Sequence, residues 1–202
     1  LCAKPCNDAY RRLLAVHPEE TNTACQLFGK DPSVMGEAAA KVTALGRFTS
    51  LDINMGCPAR KVVSSGEGSA LLLDPERAYR VMEAVKRNTD LPVTVKTRLG
   101  YDADSMNALE LGRAAQQLGL RWIAIHGRTR QQQYAGTADW AAIGELKARL
   151  TLPVIANGDV FAPGDAVRML KETGADGVMI GRGAMGNPWL FRDARRALEL
   201  SL

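Results

Sequence analysis

The sequence predicts an α/β fold, a (β/α)8 TIM barrel of which about six strand–helix units are present among its 202 residues. Three observations predict it. Short apolar strands alternate with segments of helical spacing, the pattern of parallel strands joined by crossovers. Strand ends at Gln26, Asn54, Lys96, His126, Asn157 and Gly181 recur every 24 to 42 residues, and about 250 residues build the eight units of such a barrel. Nearly every strand also ends in a polar side chain, as though all were aimed into one mouth, which favours the barrel over the competing doubly wound open sheet.

In chain order, Asn7-Asp8 offers a cap to a short helix carrying Tyr10, Leu13 and Leu14 that stops near His17-Pro18. Strands follow at Ala24–Phe28, Leu51–Met55, Val93–Thr97, Trp122–Ile125, Val154–Ala156 and Gly177–Ile180. Asp31-Pro32, Asp74-Pro75 and Asp139-Trp140 open helices with a capping carboxylate, twice with proline at the first helical position. Ala78, Val81, Met82 and Val85 form an i, i+3, i+4, i+7 stripe, and Pro163, Ala166, Val167 and Leu170 form another closed by Gly174. Leu111, Ala115 and Leu118 mark a helix ending at Gly119, and a last one begins near Asn187-Pro188. Between them, Ser64-Ser65-Gly66-Glu67-Gly68-Ser69 reads as a flexible, lid-like loop.

Composition narrows the class. With 46% hydrophobic and 24% charged residues, the chain is ordinary for a globular domain able to bury a core. No apolar run nears the eighteen or so residues of a membrane span. Cys2, Cys6, Cys25 and Cys57 lack C-x-x-C spacing, so no metal site is expected; they read as free thiols in a reducing cytoplasm. A net charge of +4 permits an anionic partner. The first residue is Leu, which suggests that the chain, read as one domain over 1–202 and as a monomer, starts inside a longer parent.

The chemistry gathers at the strand ends, where parallel α/β proteins bind ligands. In Ser50-Leu-Asp-Ile-Asn-Met-Gly-Cys-Pro58, alternation stops at Gly56 and Pro58, delivering Asn54 and the Cys57 thiol at a C-terminal strand end. Asn157-Gly158-Asp159 and Gly181-Arg182-Gly183 follow the last two strands, where barrels build phosphate sites from backbone N–H groups; Arg182 adds a charge. If those strands are the seventh and eighth, the first two are absent. Gly181, Gly183 and Gly186 also spell G-x-G-x-x-G, but the chain ends before a dinucleotide fold could follow. Lys96 is either a salt-bridged barrel lysine or a cation beside an electron-rich cofactor, and His126 either a core histidine or a ligand donor. Gln26 offers donor and acceptor together. Arg60, Lys61, Arg98, Arg128, Arg130 and Arg182 fall just after strand ends, a basic rim suited to RNA phosphates or to a cofactor phosphate. Lys147, Arg149, Arg192, Arg195 and Arg196 read as solvated helix faces.

The runs QLFG, DINMGCPARKV with GSALL, VKTRLG, IHGRTR, VIANGD and VMIGRGA, in that order, resemble the flavin-dependent tRNA-dihydrouridine synthases over essentially the whole chain. The resemblance implies FMN held by Gln26, Lys96, His126, Asn157, Gly158, Asp159, Gly181 and Arg182, with NADPH as reductant. It implies Cys57 as proton donor to a uracil in tRNA; Asn54, Arg98 and Arg128, by their places at the strand ends and rim, are expected on the substrate side. Family members also have a leading strand and a C-terminal helical domain with no counterpart here. Two rivals stand beside this: a flavin dehydrogenase of a free pyrimidine such as dihydroorotate, and an inactive RNA-binding fragment.

Overall fold

The computed structural model describes residues 8–201; Cys2, Cys6 and the expected cap residue Asn7 lie outside them. Six strands, β1 (Ala24–Leu27), β2 (Ser50–Met55), β3 (Val93–Arg98), β4 (Ile123–His126), β5 (Val154–Asn157) and β6 (Gly177–Met179), form one sheet. The order is β1-β2-β3-β4-β5-β6 and every pairing is parallel. A doubly wound sheet reverses its order at a switch point; this one never does. The result is an open, incomplete (β/α)8 barrel.

Eight α-helices lie among the described residues: α1 (Asp8–Leu13), α2 (Pro32–Thr43), α3 (Arg60–Ser64), α4 (Pro75–Arg87), α5 (Ala108–Gln117), α6 (Trp140–Ala148), α7 (Pro163–Thr173) and α8 (Leu190–Glu199). The three aspartates expected as caps do cap their helices. Asp31, Asp74 and Asp139 accept from the N–H groups of Val34, Arg77 and Ala142 at 3.0, 3.0 and 2.8 Å. Gly174 closes α7 with φ 62°, the left-handed conformation a side chain resists. The last helix begins at Leu190, slightly beyond Asn187-Pro188.

Alternation divides each strand between two environments. Leu51, Ile53, Val95, Ile123, Ile125, Val154 and Ala156 are fully buried in one core with Ala39, Val81, Met82 and Val85 of α2 and α4. Each Val, Leu, Ile or Met among them contributes about 1.5–3 kcal/mol, which fixes the strands' registers. The opposite face carries the polar set. Register pairs Gln26 with Asp52 and Thr94; one step further Asn54, Lys96, Ala124 and Ile155 align, and then Arg98, His126, Asn157 and Met179.

One expectation is corrected. The segment read as a flexible lid is folded: α3 leads through a turn into a 3-10 helix, Gly68–Leu73, in which Gly68, Ser69, Leu71 and Leu72 are buried. The serine-and-glycine composition serves close packing here.

Candidate active site

The ends of β2 to β6 surround a cleft of about 280 Å³ lined by Asn54, Cys57, Lys96, His126, Asn157 and Met179, with the loops after β5 and β6 at its rim. Chains of hydrogen bonds specify its geometry.

Cys57 is half-buried and free. The Asn54 carboxamide oxygen accepts from the backbone N–H groups of Gly56 at 3.1 Å and Cys57 at 2.9 Å, bending the chain sharply after β2. From the other side, Ser69 donates both its N–H (3.1 Å) and its hydroxyl (2.8 Å) to the Cys57 carbonyl. Below, Asn54 donates to Gln26 Oε1 at 2.9 Å, and Gln26 donates to Asp52 Oδ2 at 2.7 Å. Asp52 also accepts from the Thr94 hydroxyl at 2.6 Å.

Lys96 lines the cleft, and its Nζ donates to the Thr97 carbonyl at 3.3 Å. Burial, followed by the nearby Arg98 charge, lowers its pKa to about 7; Asp52 offsets this in part. His126 is buried, and burial together with Lys96, Arg98 and Arg128 lowers its pKa to about 3, against the opposing pull of Asp159. The imidazole is therefore neutral. Arg128 Nη1 lies 3.3 Å from Nε2, and an arginine only donates, so Nε2 accepts and the proton sits on Nδ1.

The loop after β5 is held in an unusual conformation. Gly158 has φ 125° and Asp159 φ 55°. A Cβ at position 158 would stand 2.7 Å from Ala138 Cβ and 2.9 Å from His126 Cδ2, so only glycine fits. Among the described residues, Asp159 and Gln133 are the two non-glycines at positive φ; Asp159 lines the cleft, and Gln133 directly precedes Tyr134, which lines it too. Strained backbone of this kind concentrates at functional sites.

The structure changes the expected roles of several residues. Arg98 and Arg128 are only 2% and 1% exposed and do not form a solvated rim. Arg98 remains in the cleft wall but donates to the carbonyls of Gly56, Thr129 and Gln133. Arg128 bonds the carbonyls of Ala135 and Gly136 and the Asp159 carboxylate. Arginine's many donors satisfy loop carbonyls that burial would otherwise leave unpaired. Arg130 is half-buried with its guanidinium 5.1 Å from the Tyr101 ring centroid. Arg60, Lys61 and Arg182 remain exposed. Gln26 stands one register step below Asn54 on the edge strand, outside the cleft lining. Asn157 spends its side-chain N–H on the Met179 carbonyl at 2.7 Å. Lys147, expected to be solvated, instead bonds Asp176 at 2.7 Å.

Tyr134 escaped sequence reasoning altogether. It lies in QQQYAG, a loop without periodicity, yet lines the cleft with its ring centroid 4.4 Å from the Arg182 guanidinium, 5.7 Å from that of Arg98 and 6.2 Å from the His126 ring. An aromatic residue in the loop after β4, following closely on two arginines, is the signal that was available.

Comparison with known proteins shows the family of the chain. The family model for dihydrouridine synthase (Dus) matches residues 5–201. A probable tRNA-dihydrouridine synthase of Rhodobacter capsulatus is 48% identical over 176 residues, 87% of this chain and 54% of that protein. The tRNA-dihydrouridine synthase B of Xanthomonas campestris is 46% identical over 86% of the chain and 52% of its own length. The chain thus spans about half the length of these curated relatives. Among solved structures, D-glucarate dehydratase from Agrobacterium tumefaciens superposes with TM-score 0.67 at 14% identity, covering 95% of this chain and 48% of that one. The N-succinyl Arg/Lys racemase from Bacillus cereus gives 0.60 at 20% identity, covering 90% and 44%. At such identities these two share the barrel architecture alone.

Proposed function

The chain belongs to the dihydrouridine synthase family, and we propose from that premise that it forms most of the catalytic barrel of a tRNA-dihydrouridine synthase. The reaction is reduction of a uridine in tRNA to 5,6-dihydrouridine, with FMN as cofactor and NADPH as reductant. The observation that carries this is the Cys57 thiol, fixed by its backbone at the same cleft as the partly desolvated Lys96.

The residues present fit an FMN. A flavin needs a cation beside its pyrimidine edge and an anion grip for its phosphate. Lys96 supplies a cation whose own pKa, about 7, is lowered by burial and like charge, so an anionic neighbour would stabilise its protonated form. Arg182, beside the glycine-rich turn after β6 and the positive-φ loop after β5, provides a charged edge where backbone N–H groups can approach a phosphate. FMN bound there would supply the hydride.

The chain's own residues do the rest. Neutral His126 keeps its Nδ1–H available to donate, because Nε2 faces Arg128. Lys96 stabilises negative charge developing at the reducing edge. Cys57 stands ready to give a proton to uracil C5 once hydride has reached C6, which discharges the enolate-like charge on the substrate. Gly56 and Pro58 on either side, and Asn54 and Ser69 on its backbone, orient the thiol. Exposed Arg60 and Lys61 at the start of α3, immediately after Cys57, suit the phosphates of a tRNA whose target nucleoside must leave its stack to enter the cleft. The setting is a soluble compartment, the cytoplasm, with the protein acting as a monomer.

Incubating the intact protein with FMN, NADPH and either unmodified tRNA or free uridine tests the assignment. Dihydrouridine should form in tRNA only. Turnover of a free pyrimidine without tRNA would instead favour a dihydroorotate-type dehydrogenase, and absence of flavin binding an inactive RNA-binding barrel.

A further inference from the structure

Asp52 takes no part in the chemistry above, yet it is a carboxylate only 7% exposed inside the barrel. Burial of a charge is expensive unless every lone pair is used, and here the partners are specific. Oδ1 accepts from Thr94 at 2.6 Å and Oδ2 from Gln26 at 2.7 Å.

We propose that Asp52 is a positioning residue for the Cys57 loop, acting through the side-chain amides of Gln26 and Asn54. This rests on the assignment of Cys57 as proton donor and deepens it. The logic is one of hydrogen-bond polarity. Burial raises the Asp52 pKa, while the bonds from Thr94 and Gln26 and the Lys96 charge favour the carboxylate; in that state it only accepts, so Gln26 turns its NH2 toward Asp52 and its oxygen toward Asn54. Asn54 must then turn its NH2 toward Gln26, and its oxygen is left facing Gly56 and Cys57. An amide flipped at either site would set donor against donor. A group at the level of Gln26 thereby decides which way an amide points one register step higher, at the turn that carries the thiol.

Four variants of the intact protein test this: Asp52→Ala, Asp52→Asn, Gln26→Met and the double variant Asp52→Ala/Gln26→Met. The first readout is amide hydrogen exchange in the flavin-free protein. Asp52→Ala should speed exchange at Gly56 and Cys57 about fivefold or more, the worth of one net hydrogen bond, with the middle of β2 unchanged. Asp52→Asn should restore protection, since its oxygen can accept from Gln26 while its NH2 gives to the Thr94 hydroxyl. Gln26→Met should match Asp52→Ala, and the double variant should add nothing to either. The second readout is flavin chemistry: reoxidation by tRNA should slow roughly tenfold to a hundredfold in Asp52→Ala, with reduction by NADPH unchanged.

Normal protection at Gly56 and Cys57 in Asp52→Ala overturns the proposal, as does an additive double variant. Equal damage in a folded Asp52→Asn also overturns it, because the charge facing Lys96 would then be what matters. If Asp52→Ala does not fold, Gln26→Met decides by the same exchange measurement. Lost protection with unchanged reoxidation leaves the relay standing and removes Cys57 from proton delivery.

Discussion

Arg128 and Asp159 meet as a two-pronged pair, Nη1 to Oδ1 at 2.9 Å and Nη2 to Oδ2 at 2.7 Å, with the arginine side chain 2% and the aspartate 21% exposed. Asp159 also accepts from the Ala138 N–H at 2.7 Å and from Arg182 at 3.1 Å. One carboxylate thus ties the loops after β4, β5 and β6 together. Although burial pushes its carboxyl up, these hydrogen bonds and arginine charges outweigh that and hold its pKa below the usual range. Its depressed pKa means stability that is complete above the unfolded value, about 3.9, and lost as pH falls through the folded one. Asp159→Ala should destabilise the protein by about 3 kcal/mol, by stranding a buried guanidinium. It should also flatten the acid limb of a stability–pH curve below about pH 4. Denaturant unfolding across pH measures both.

Lys96 predicts a slope of the same sign in a higher pH window, from the opposite cause, a penalty relieved rather than a bond gained. Its pKa is about 7 in the fold and about 10.4 when unfolded, so between those values the unfolded chain binds more protons and stability rises with pH. Below about pH 7 the full penalty of the buried cation is present. In flavin-free protein, Lys96→Met should therefore be the more stable form at pH 7, with a smaller gain at pH 9. In holoprotein it should make the flavin harder to reduce. A wild-type flavin potential in that variant would remove Lys96 from the flavin edge.

Cys57→Ala should bind FMN and accept hydride from NADPH normally. Its reoxidation by tRNA should slow by about 10²- to 10⁴-fold, the share of a general acid. Cys57→Ser should be nearly as slow, because a hydroxyl is a much weaker acid than a thiol. Rapid mixing resolves the two half-reactions, and reoxidation of the Ala variant at the wild-type rate would make the thiol structural.

Gly68 sits directly against Cys57. Its φ is 60°, and an added Cβ would lie 2.9 Å from Val62 Cγ1, 3.0 Å from the Cys57 carbonyl oxygen and 3.1 Å from Cys57 Cβ. Gly46 has nearly the same φ, 62°, with nothing within 4 Å. Both Ala substitutions carry the backbone strain, about 1 kcal/mol, but only Gly68→Ala moves the thiol. Thermal unfolding should rank Gly68→Ala below Gly46→Ala, and thiol alkylation rates should change in the first alone.

Much of the site was legible because strand ends advertise themselves: Asn54, Lys96, His126 and Asn157 each break an apolar alternation, and all four line one cleft. The capping aspartates were legible for the same local reason. What escaped depends on neighbours distant in sequence. The bond from Gln26 to Asp52 and the one from Asn54 to Gln26 require the β1–β2 register, which neither strand encodes alone. Arg98 and Arg128 looked solvent-facing because arginine usually is; their carbonyl partners lie in loops up to 42 residues away. The Ser64–Ser69 segment misled because small residues mark both mobile loops and tight packing.

The unbroken strand order has a consequence for how the molecule comes to exist. Each strand can pair with its predecessor as soon as the connecting helix has been synthesised, so the sheet can grow in the direction of translation. The thiol turn after β2 belongs to an early unit, whereas Asp159 and Arg182 arrive with the last two strands. A nascent chain halted after β4 would already present its cysteine, with Arg128 still lacking its carboxylate and no anion grip at the mouth. For the FMN proposed above, capture is thus a late event in biogenesis, and until then the thiol turn stands without the loops after β5 and β6 beside it.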